Sequence, residues 1–186
     1  MKNHFIKSIV VITSITFLLL GLYSCSKKEA ANPIVLGNEY QGGFIFYIDN
    51  TGQHGLIAHK MPTEVTSQGW GCYYTDMGTT SETFGQGKNN TTYILEHCAE
   101  PNIWARLIDN FSVSGYSDWY MPSLEEMQFI YDNLHKQGKG GFENHTYWTS
   151  TEHSPNYAWE IDFANGTAQR GSKGNTYQYA IAIRAF

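Results

Sequence analysis

The order of its hydrophobic patterns constrains the fold of this chain more than any other sequence feature. Near the amino end, an apolar and aromatic run at 44–48 is separated by a turn signal at 49–52 from a second run at 55–58. This arrangement predicts a β-hairpin. Strand patterns return near the carboxyl end, at 147–151, 158–163 and 179–184. Asn165-Gly166 follows the middle one of these and predicts a tight hairpin turn.

Two helices are predicted between these groups of strands. Apolar residues recur with helical spacing from Ile103 to Phe111. A second helix begins at Ser123, because Ser123 and Glu126 have the spacing of a capping box. Residues 62–92 are rich in Gly, Thr, Ser and Asn and have no apolar period. We therefore predict a long irregular loop there, of the kind that often binds ligands, within an α+β fold.

Residues 1–24 have the features of a lipoprotein signal peptide. Lys2 and Lys7 form a basic start, an apolar stretch follows, and LYSC at 22–25 resembles a bacterial lipobox. In such a motif the thiol takes the lipid, so Cys25 is the predicted lipidation site, and several acyl chains on one residue anchor stably. An uncleaved membrane anchor is the alternative, although the apolar core is short for a span of about 20 residues.

The predicted organisation after the signal is an anchored tether and one domain. Residues 25–36 hold the lipidated Cys and a polar tether, and residues 37–186 form the folded domain. Ser26 stands where an Asp often retains lipoproteins at the inner membrane. We therefore expect an outer-membrane lipoprotein of the bacterial envelope, attached to the membrane through its lipid anchor. The leaflet, and with it exposure at the cell surface, stays open.

The charge balance argues against nucleic acid as a partner. The chain has 12 Lys and Arg against 17 Asp and Glu, a formal net charge of −5 at pH 7. Binding to a polyanion needs clustered basic side chains. We therefore expect no nucleic-acid partner.

Five blocks of sequence match a known bacterial family in order and spacing. They are GGFIFYI (42–48) with HGLIA (54–58), GYSDWYMPS (115–123) with EM (126–127), YWTSTE (147–152), AW (158–159) with Phe163 and NG (165–166), and RAF (184–186). Over about residues 37–186 the chain therefore resembles the Lcl C-terminal domain family, a bacterial domain of formerly unknown function. Several ordered blocks are more specific than any single motif.

The resemblance implies a C-type-lectin-like fold, with a mixed, mostly antiparallel sheet, two helices and long irregular loops. In that fold the terminal strands pair and an irregular region carries binding. Members occur on secreted and surface proteins, and one branch caps a collagen-like adhesin that binds sulfated polysaccharides. The net negative charge of this chain argues against binding of sulfated polysaccharides, unless Lys88, Arg170 and Lys173 lie close together. The family shares no established catalytic residues, so we expect a protein that is not an enzyme.

Cys72 and Cys98 are the cysteines that remain after export. In an oxidising compartment they are a candidate disulfide, and two free thiols are the alternative. A catalytic cysteine is less favoured, because no neighbouring His pattern singles one out. The formylglycine-generating oxidases, which are related in fold, need a reactive Cys pair in a cleft, but Cys72 and Cys98 occupy other places in the sequence.

A candidate calcium site lies on a late predicted strand. Glu160 and Asp162 are two residues apart, so both carboxylates project on one face of a strand. With Glu152 or Asn165 they would offer the oxygen ligands that Ca²⁺ prefers. The alternative is a polar outward face opposite Trp159, and in that case no cofactor is implied.

Aromatic residues in predicted loops are the remaining signal of binding. They are Tyr73, Tyr74, Tyr116, Tyr157 and Tyr177. Tyrosine rings stack on sugars, although loop-rich folds also pack Tyr over their cores. We expect a contact face formed by 62–92 and 152–170. The ligand-binding candidates are Tyr73, Tyr74, Tyr157, Glu152, Glu160, Asp162, Asn165 and Arg170.

These features predict a lipid-anchored envelope or cell-surface protein of the adhesion type. Its expected partner is a glycan or a surface protein. The alternative is a structural or assembly subunit of a surface appendage or an outer-membrane complex.

Overall fold

Seven strands form one sheet in the computed structural model of the chain, which describes residues 33–62, 68–78 and 80–186. The strands are β1 (Glu39–Tyr40), β2 (Gly43–Ile48), β3 (Gly55–Lys60), β4 (Thr146–Ser154), β5 (Tyr157–Asp162), β6 (Thr167–Ser172) and β7 (Tyr179–Ala185). Their order across the sheet is β1-β2-β3-β7-β4-β5-β6. Only the β4–β7 pair is parallel among these strands, which confirms the predicted mixed, mostly antiparallel sheet.

Three α-helices accompany the sheet, one more than we predicted. They are α1 (Gly87–His97), α2 (Trp104–Asp109) and α3 (Leu124–Asn133). The prediction that 62–92 is irregular throughout is therefore wrong for the part that begins α1. The buried face of α1 is largely polar. It includes Asn90, which bonds to the backbone of Ser81 and to the hydroxyl of Ser150. A polar buried face leaves no apolar period to find in the sequence.

The capping box of α3 forms as predicted. The Ser123 hydroxyl accepts the Glu126 N–H at 3.3 Å, and the Glu126 carboxylate accepts the Ser123 N–H at 2.7 Å. The same carboxylate also accepts the N–H groups of Gly85 and Gly87 at the start of α1. One buried side chain thus joins the amino ends of two helices.

The sheet carries a hydrophobic cluster on each face, because successive strand residues point to opposite sides. On β4, Trp148 enters one cluster and Tyr147 the other. The Trp148 cluster also takes in α1, α2 and Trp70. The Tyr147 cluster takes in Met127 and Ile130 of α3. The helices therefore cover both faces of the sheet.

A hairpin joins β5 and β6, as the sequence predicted, but its loop spans the four residues 163–166 and only ends with Asn165-Gly166. Strand β6 was not predicted, because TAQRGS has no apolar alternation and four of its six residues are exposed. It lies at one edge of the sheet.

Residues 1–32 lie outside the described part of the chain, and with them the predicted signal peptide and Cys25. Within the described ranges, no helix has the length and apolar character needed to cross a membrane.

Candidate ligand-binding face

Four tyrosines form the largest group of exposed aromatic side chains in the described ranges. Tyr73, Tyr74, Tyr157 and Tyr177 are 39%, 73%, 45% and 88% exposed. They are four of the seven large hydrophobic side chains that are exposed in these ranges. We call these four residues the tyrosine face. Clustered exposed aromatics are a common sign of a binding surface.

Backbone contacts bring the loops that carry these tyrosines together. The Tyr74 N–H donates to the Pro155 carbonyl at 3.0 Å, in the turn just before Tyr157. The rings of Tyr73 and Tyr74 lie 4.0 Å apart, centroid to centroid. Tyr73 also lies beside Gly174, in the loop that leads from β6 towards Tyr177. Tyr73, Tyr74 and Tyr157 therefore lie near the end of the sheet where β5 begins and β6 ends, and Tyr177 lies in the loop that leads from there to β7.

The backbone that presents Tyr73 and Tyr74 has an unusual conformation. Cys72 and Tyr74 have φ angles of +48° and +71°, in the left-handed region that non-glycine residues rarely adopt. Each such residue costs roughly 1–3 kcal/mol and persists only where its surroundings fix it. Strain of this kind often accompanies a binding site.

A disulfide fixes one side of this loop. Cys72 and Cys98, the candidate pair, are bonded in the structure, with their Cα atoms 5.7 Å apart. Cys98 caps the carboxyl end of α1, where the Arg106 guanidinium also donates to the carbonyls of Leu95 and Cys98. The loop is thus tied to a helix end that is itself held by a charged side chain.

A buried ion pair fixes the other side. The ammonium group of Lys173 donates to the Glu152 carboxylate and to the Thr75 carbonyl, the latter at 2.8 Å, and lies 4.7 Å from the centre of the Trp70 ring. Glu152 also accepts the backbone N–H of Gly78 at 2.9 Å. Its side chain is only 5% exposed. The structure therefore corrects the prediction that Glu152 contacts a ligand.

The three basic residues whose clustering would favour a sulfated ligand do not cluster. The Lys173 side chain is fully buried. Lys88, at the start of α1, lines a separate depression with Asp109 and Asp118. Arg170 alone lies at the tyrosine face, where it lines an open depression with Tyr157.

The calcium candidates are not assembled into a site. Glu160 is 3% exposed, and its carboxylate accepts the Gln169 side-chain N–H at 3.0 Å. Burial raises the pKa of Glu160. Asp162 instead accepts the Ala164 N–H at 2.8 Å and the Asn165 side-chain N–H at 3.0 Å. The two carboxylates are therefore committed to separate partners.

The alternative of a polar outward face is also wrong for Glu160. Its carboxylate lies over Gly171 on the neighbouring strand, where a Cβ atom would come within 2.1 Å of Oε2. The glycine thus leaves room for a buried carboxyl group.

Asp162 and Asn165 lie away from the tyrosine face. Tyr157 and Asp162 are the two ends of β5, about 16 Å apart at about 3.3 Å per residue. Gly166 of the same turn packs against the Tyr131 ring of α3. The predicted contact face at 152–170 is therefore divided between the two ends of a hairpin.

Trp159 and His153 lie beside Tyr157 and were not predicted as site residues from the sequence. Trp159 is directly opposite Arg170 across the β5–β6 ladder, and the His153 ring meets the Trp159 ring at 5.1 Å. Trp159 is two residues from Tyr157 and so shares its side of the strand. The two-residue spacing from Tyr157 could have indicated this position in the sequence, but the alternation of Trp159 with Ile161 and Phe163 also fitted a buried strand face.

Tyr116 does not belong to the tyrosine face. It is half-buried, and the Arg184 guanidinium lies 3.8 Å from the centre of its ring. This tyrosine packs over the core, which is the alternative that the sequence left open.

Comparisons with known proteins give the family. The sequence model of the Lcl C-terminal domain matches residues 80–184, and no curated protein matches the chain. Among solved structures, a fimbrial protein from Bacteroides ovatus ATCC 8483 is similar at 15% identity and a TM-score of 0.40. That alignment covers 80% of this chain and 46% of the fimbrial protein, so the chain spans less than half of that protein's length. Because the family model covers more than half of the sequence, the chain belongs to the Lcl C-terminal domain family, and this membership fits a surface or adhesion-type protein of the cell envelope.

Proposed function

We propose that this domain is a non-catalytic binding module of the bacterial cell envelope that recognises a glycan through the tyrosine face. The observation that carries the proposal is the exposure of four tyrosines, of which Tyr73, Tyr74 and Tyr157 lie near one end of the sheet. Aromatic rings offer a large apolar surface for the C–H face of a sugar. The tyrosine hydroxyl groups add polar contacts at the rim.

The contacts that hold the tyrosine face in place support the proposal. The disulfide at Cys72 and the ion pair of Lys173 hold the loop that presents Tyr73 and Tyr74. Tyrosine has two rotatable side-chain torsions, so a fixed tyrosine loses little entropy when it binds. A preorganised aromatic surface therefore keeps more of its contact energy as affinity.

The same observations support a role without catalysis. Both cysteines of the described domain are used in a disulfide, and Glu152 and Lys173 neutralise each other in the interior. These groups hold the loop and are not available as nucleophile or base.

A C-type-lectin-like fold and a lipid anchor complete the proposal. The antiparallel pairing of β3 near the amino end with the final strand β7 supports that fold. The lipobox pattern around Cys25 supports an outer-membrane lipoprotein. Replacing Cys25 with Ser should abolish incorporation of radiolabelled fatty acid and leave the signal peptide uncleaved, and continued labelling of the variant would contradict lipid anchoring at Cys25.

A glycan-array screen of the purified protein tests the proposed binding. We expect specific binding that Tyr74→Asn and Tyr157→Ala weaken, each by about tenfold. Asparagine tolerates the left-handed backbone at Tyr74, so that variant removes the ring without adding strain. Phe129→Ala is the matched control, because Phe129 is 40% exposed but lies on α3. A blank array, or equal losses in the control, would overturn the proposal.

Assembly into a surface structure is the second candidate, and one observation favours it. Strand β6 is at the edge of the sheet, with no described strand on its outer side and four exposed residues. An open edge can accept a strand from another chain. If β6 mediates assembly, Ala168→Lys should abolish self-association in sedimentation measurements. Monomeric wild-type protein at all concentrations would exclude self-assembly through this edge.

A further inference from the structure

We infer that the glycan bound at the tyrosine face carries a carboxylate, as a uronic acid does, and that Arg170 recognises it. This inference rests on the proposed function, since it names the class of sugar that the same face would bind. In this inference Arg170 recognises the charge of the sugar, whereas the tyrosines recognise its shape and contact its C–H groups.

The ladder between β5 and β6 puts Arg170 beside the aromatic residues. Trp159 is directly opposite Arg170, and Tyr157 is opposite Ser172. Cross-strand partners, and residues two apart on one strand, share a face of the sheet. Tyr157, Trp159 and Arg170 therefore project to the same side. Tyr157 and Arg170 line an open depression of about 280 Å³.

The volume of this depression suits a single sugar unit. Its volume of about 280 Å³ lies just below the range of about 300–1,000 Å³ found for small-molecule sites. An aromatic ring and a guanidinium group at its wall offer a stacking surface and a charged donor. A sugar ring against Tyr157 would place one substituent within reach of Arg170.

Arg170 is also the one arginine in the chain whose guanidinium has no partner in the described structure. Arg106 donates to backbone carbonyls around the end of α1. Arg184 pairs with Asp118 and bonds to Gln41. The guanidinium of Arg170 lies on an exposed residue and makes neither an ion pair nor a hydrogen bond within these ranges. Its donors are therefore free for a ligand.

The nearest acidic neighbours on the hairpin do not neutralise Arg170. Glu160 is adjacent to Trp159 on β5, so it projects to the opposite face, where Gln169 holds it. Asp162 is held in the turn at the far end of the strand. The charge of Arg170 therefore remains available on its own side of the sheet.

A carboxylate matches this site better than a dense polyanion. A guanidinium group is planar and presents paired N–H donors, which fit the two oxygens of a carboxylate. A highly sulfated polymer is held by several clustered cations, whereas the Lys173 side chain is buried and Lys88 lines a different depression. One free arginine beside tyrosines therefore favours a glycan with single carboxylates.

The test compares binding of the purified protein to oligogalacturonate, to its methyl ester and to dextran sulfate. The ester has the same sugar chain without the charge. We expect oligogalacturonate to bind best and Arg170→Gln to weaken it by about tenfold or more, while the ester is unaffected. Arg170→Lys should recover only part of the affinity, since lysine lacks the planar fork. Lys88→Gln removes the same charge elsewhere and should change binding less than twofold.

Each other outcome counts against the inference in a distinct way. Equal binding of acid and ester, with both lost in Tyr157→Ala, would overturn the role of Arg170 and leave glycan recognition intact. Preferred binding of dextran sulfate would overturn the choice of carboxylate over sulfate. No binding to any of the three would overturn the inference. A glycan array that is also blank would show that the proposed function had failed as well.

Discussion

Lys173 and Glu152 form an ion pair across strand β5. Lys173 directly follows β6 and Glu152 lies on β4, so the pair joins the two strands on either side of β5. Their side chains are 0% and 5% exposed. The same two residues hold the backbone at Thr75 and Gly78, close to Tyr73 and Tyr74 in the chain. The candidate binding loop is thus attached to the sheet through a buried charge pair.

Removing one member of this pair should destabilise the domain strongly. Lys173→Met leaves the Glu152 carboxylate buried without its cation, which costs about 3–5 kcal/mol in the free energy of unfolding. Chemical denaturation of the variant and the wild type measures this difference.

The double variant Lys173→Met with Glu152→Gln is the control for charge. It removes both charges and keeps an oxygen that can accept the Gly78 N–H, so it should be more stable than Lys173→Met alone. If the loss of stability in the double variant instead equals the sum of the losses in Lys173→Met and in Glu152→Gln alone, the two residues do not act as a pair.

The disulfide should contribute to stability as well as to the shape of the loop. Cys72 and Cys98 are 26 residues apart, and closing a loop of that length is worth about 3.5 kcal/mol in the chain-entropy model. Replacing both with Ser should lower the midpoint of unfolding and speed proteolysis between them. Wild-type protein in reductant should behave like the variant. Unchanged stability in both would contradict this role.

The buried carboxyl group of Glu160 should make stability depend on pH. Burial raises its pKa in the folded state above the ordinary value of 4.5. Above pH 4.5 the folded state therefore binds more protons than the unfolded state. Its contribution to stability is complete below that pH and is lost as the pH rises through the folded pKa.

Glu160→Gln removes this titration and tests it. Gln keeps an oxygen for the Gln169 N–H. The fall in unfolding free energy above pH 4.5 should be shallower in the variant than in the wild type, measured by denaturation at a series of pH values. A curve parallel to the wild type would contradict the raised pKa.

Gly87→Ala should destabilise the domain although alanine favours helices. A Cβ at Gly87 would lie 2.3 Å from the Glu126 carboxylate and 2.5 Å from the Met121 carbonyl. The resulting displacement should cost about 1–3 kcal/mol, more than the helix propensity of alanine returns. Asn89→Ala, at an exposed position of the same helix, is the control and should change stability by less than about 0.5 kcal/mol. A thermal unfolding series measures both.

Local patterns were enough to predict most of the fold. Apolar runs and turn signals located five of the strands, and the capping box located the start of α3 at Ser123. Helix α1 and strand β6 were missed for one shared reason. Their residues are largely polar: α1 is held by contacts such as that of Asn90 with Ser150, and β6 is an edge strand with four exposed residues. Such contacts leave no period in the sequence.

The candidate site was harder to predict than the fold. A predicted loop position correctly indicated exposure for Tyr73, Tyr74, Tyr157 and Tyr177, but not for Tyr116, which is half-buried. For Glu152 it failed, because a lysine 21 residues later in the chain supplies the charge that allows the carboxylate to be buried. The partner of a charged side chain depends on tertiary structure, which a single sequence does not reveal.

Nuclear magnetic resonance of protein labelled with ¹³C in its tyrosine rings tests glycan recognition most directly. The chain has 13 tyrosines, so the titration with a glycan selected on the array contains its own controls. We predict that the ring signals of Tyr73, Tyr74, Tyr157 and Tyr177 shift on binding while that of buried Tyr147 does not. Saturable binding that leaves these four signals unchanged would contradict recognition through the tyrosine face.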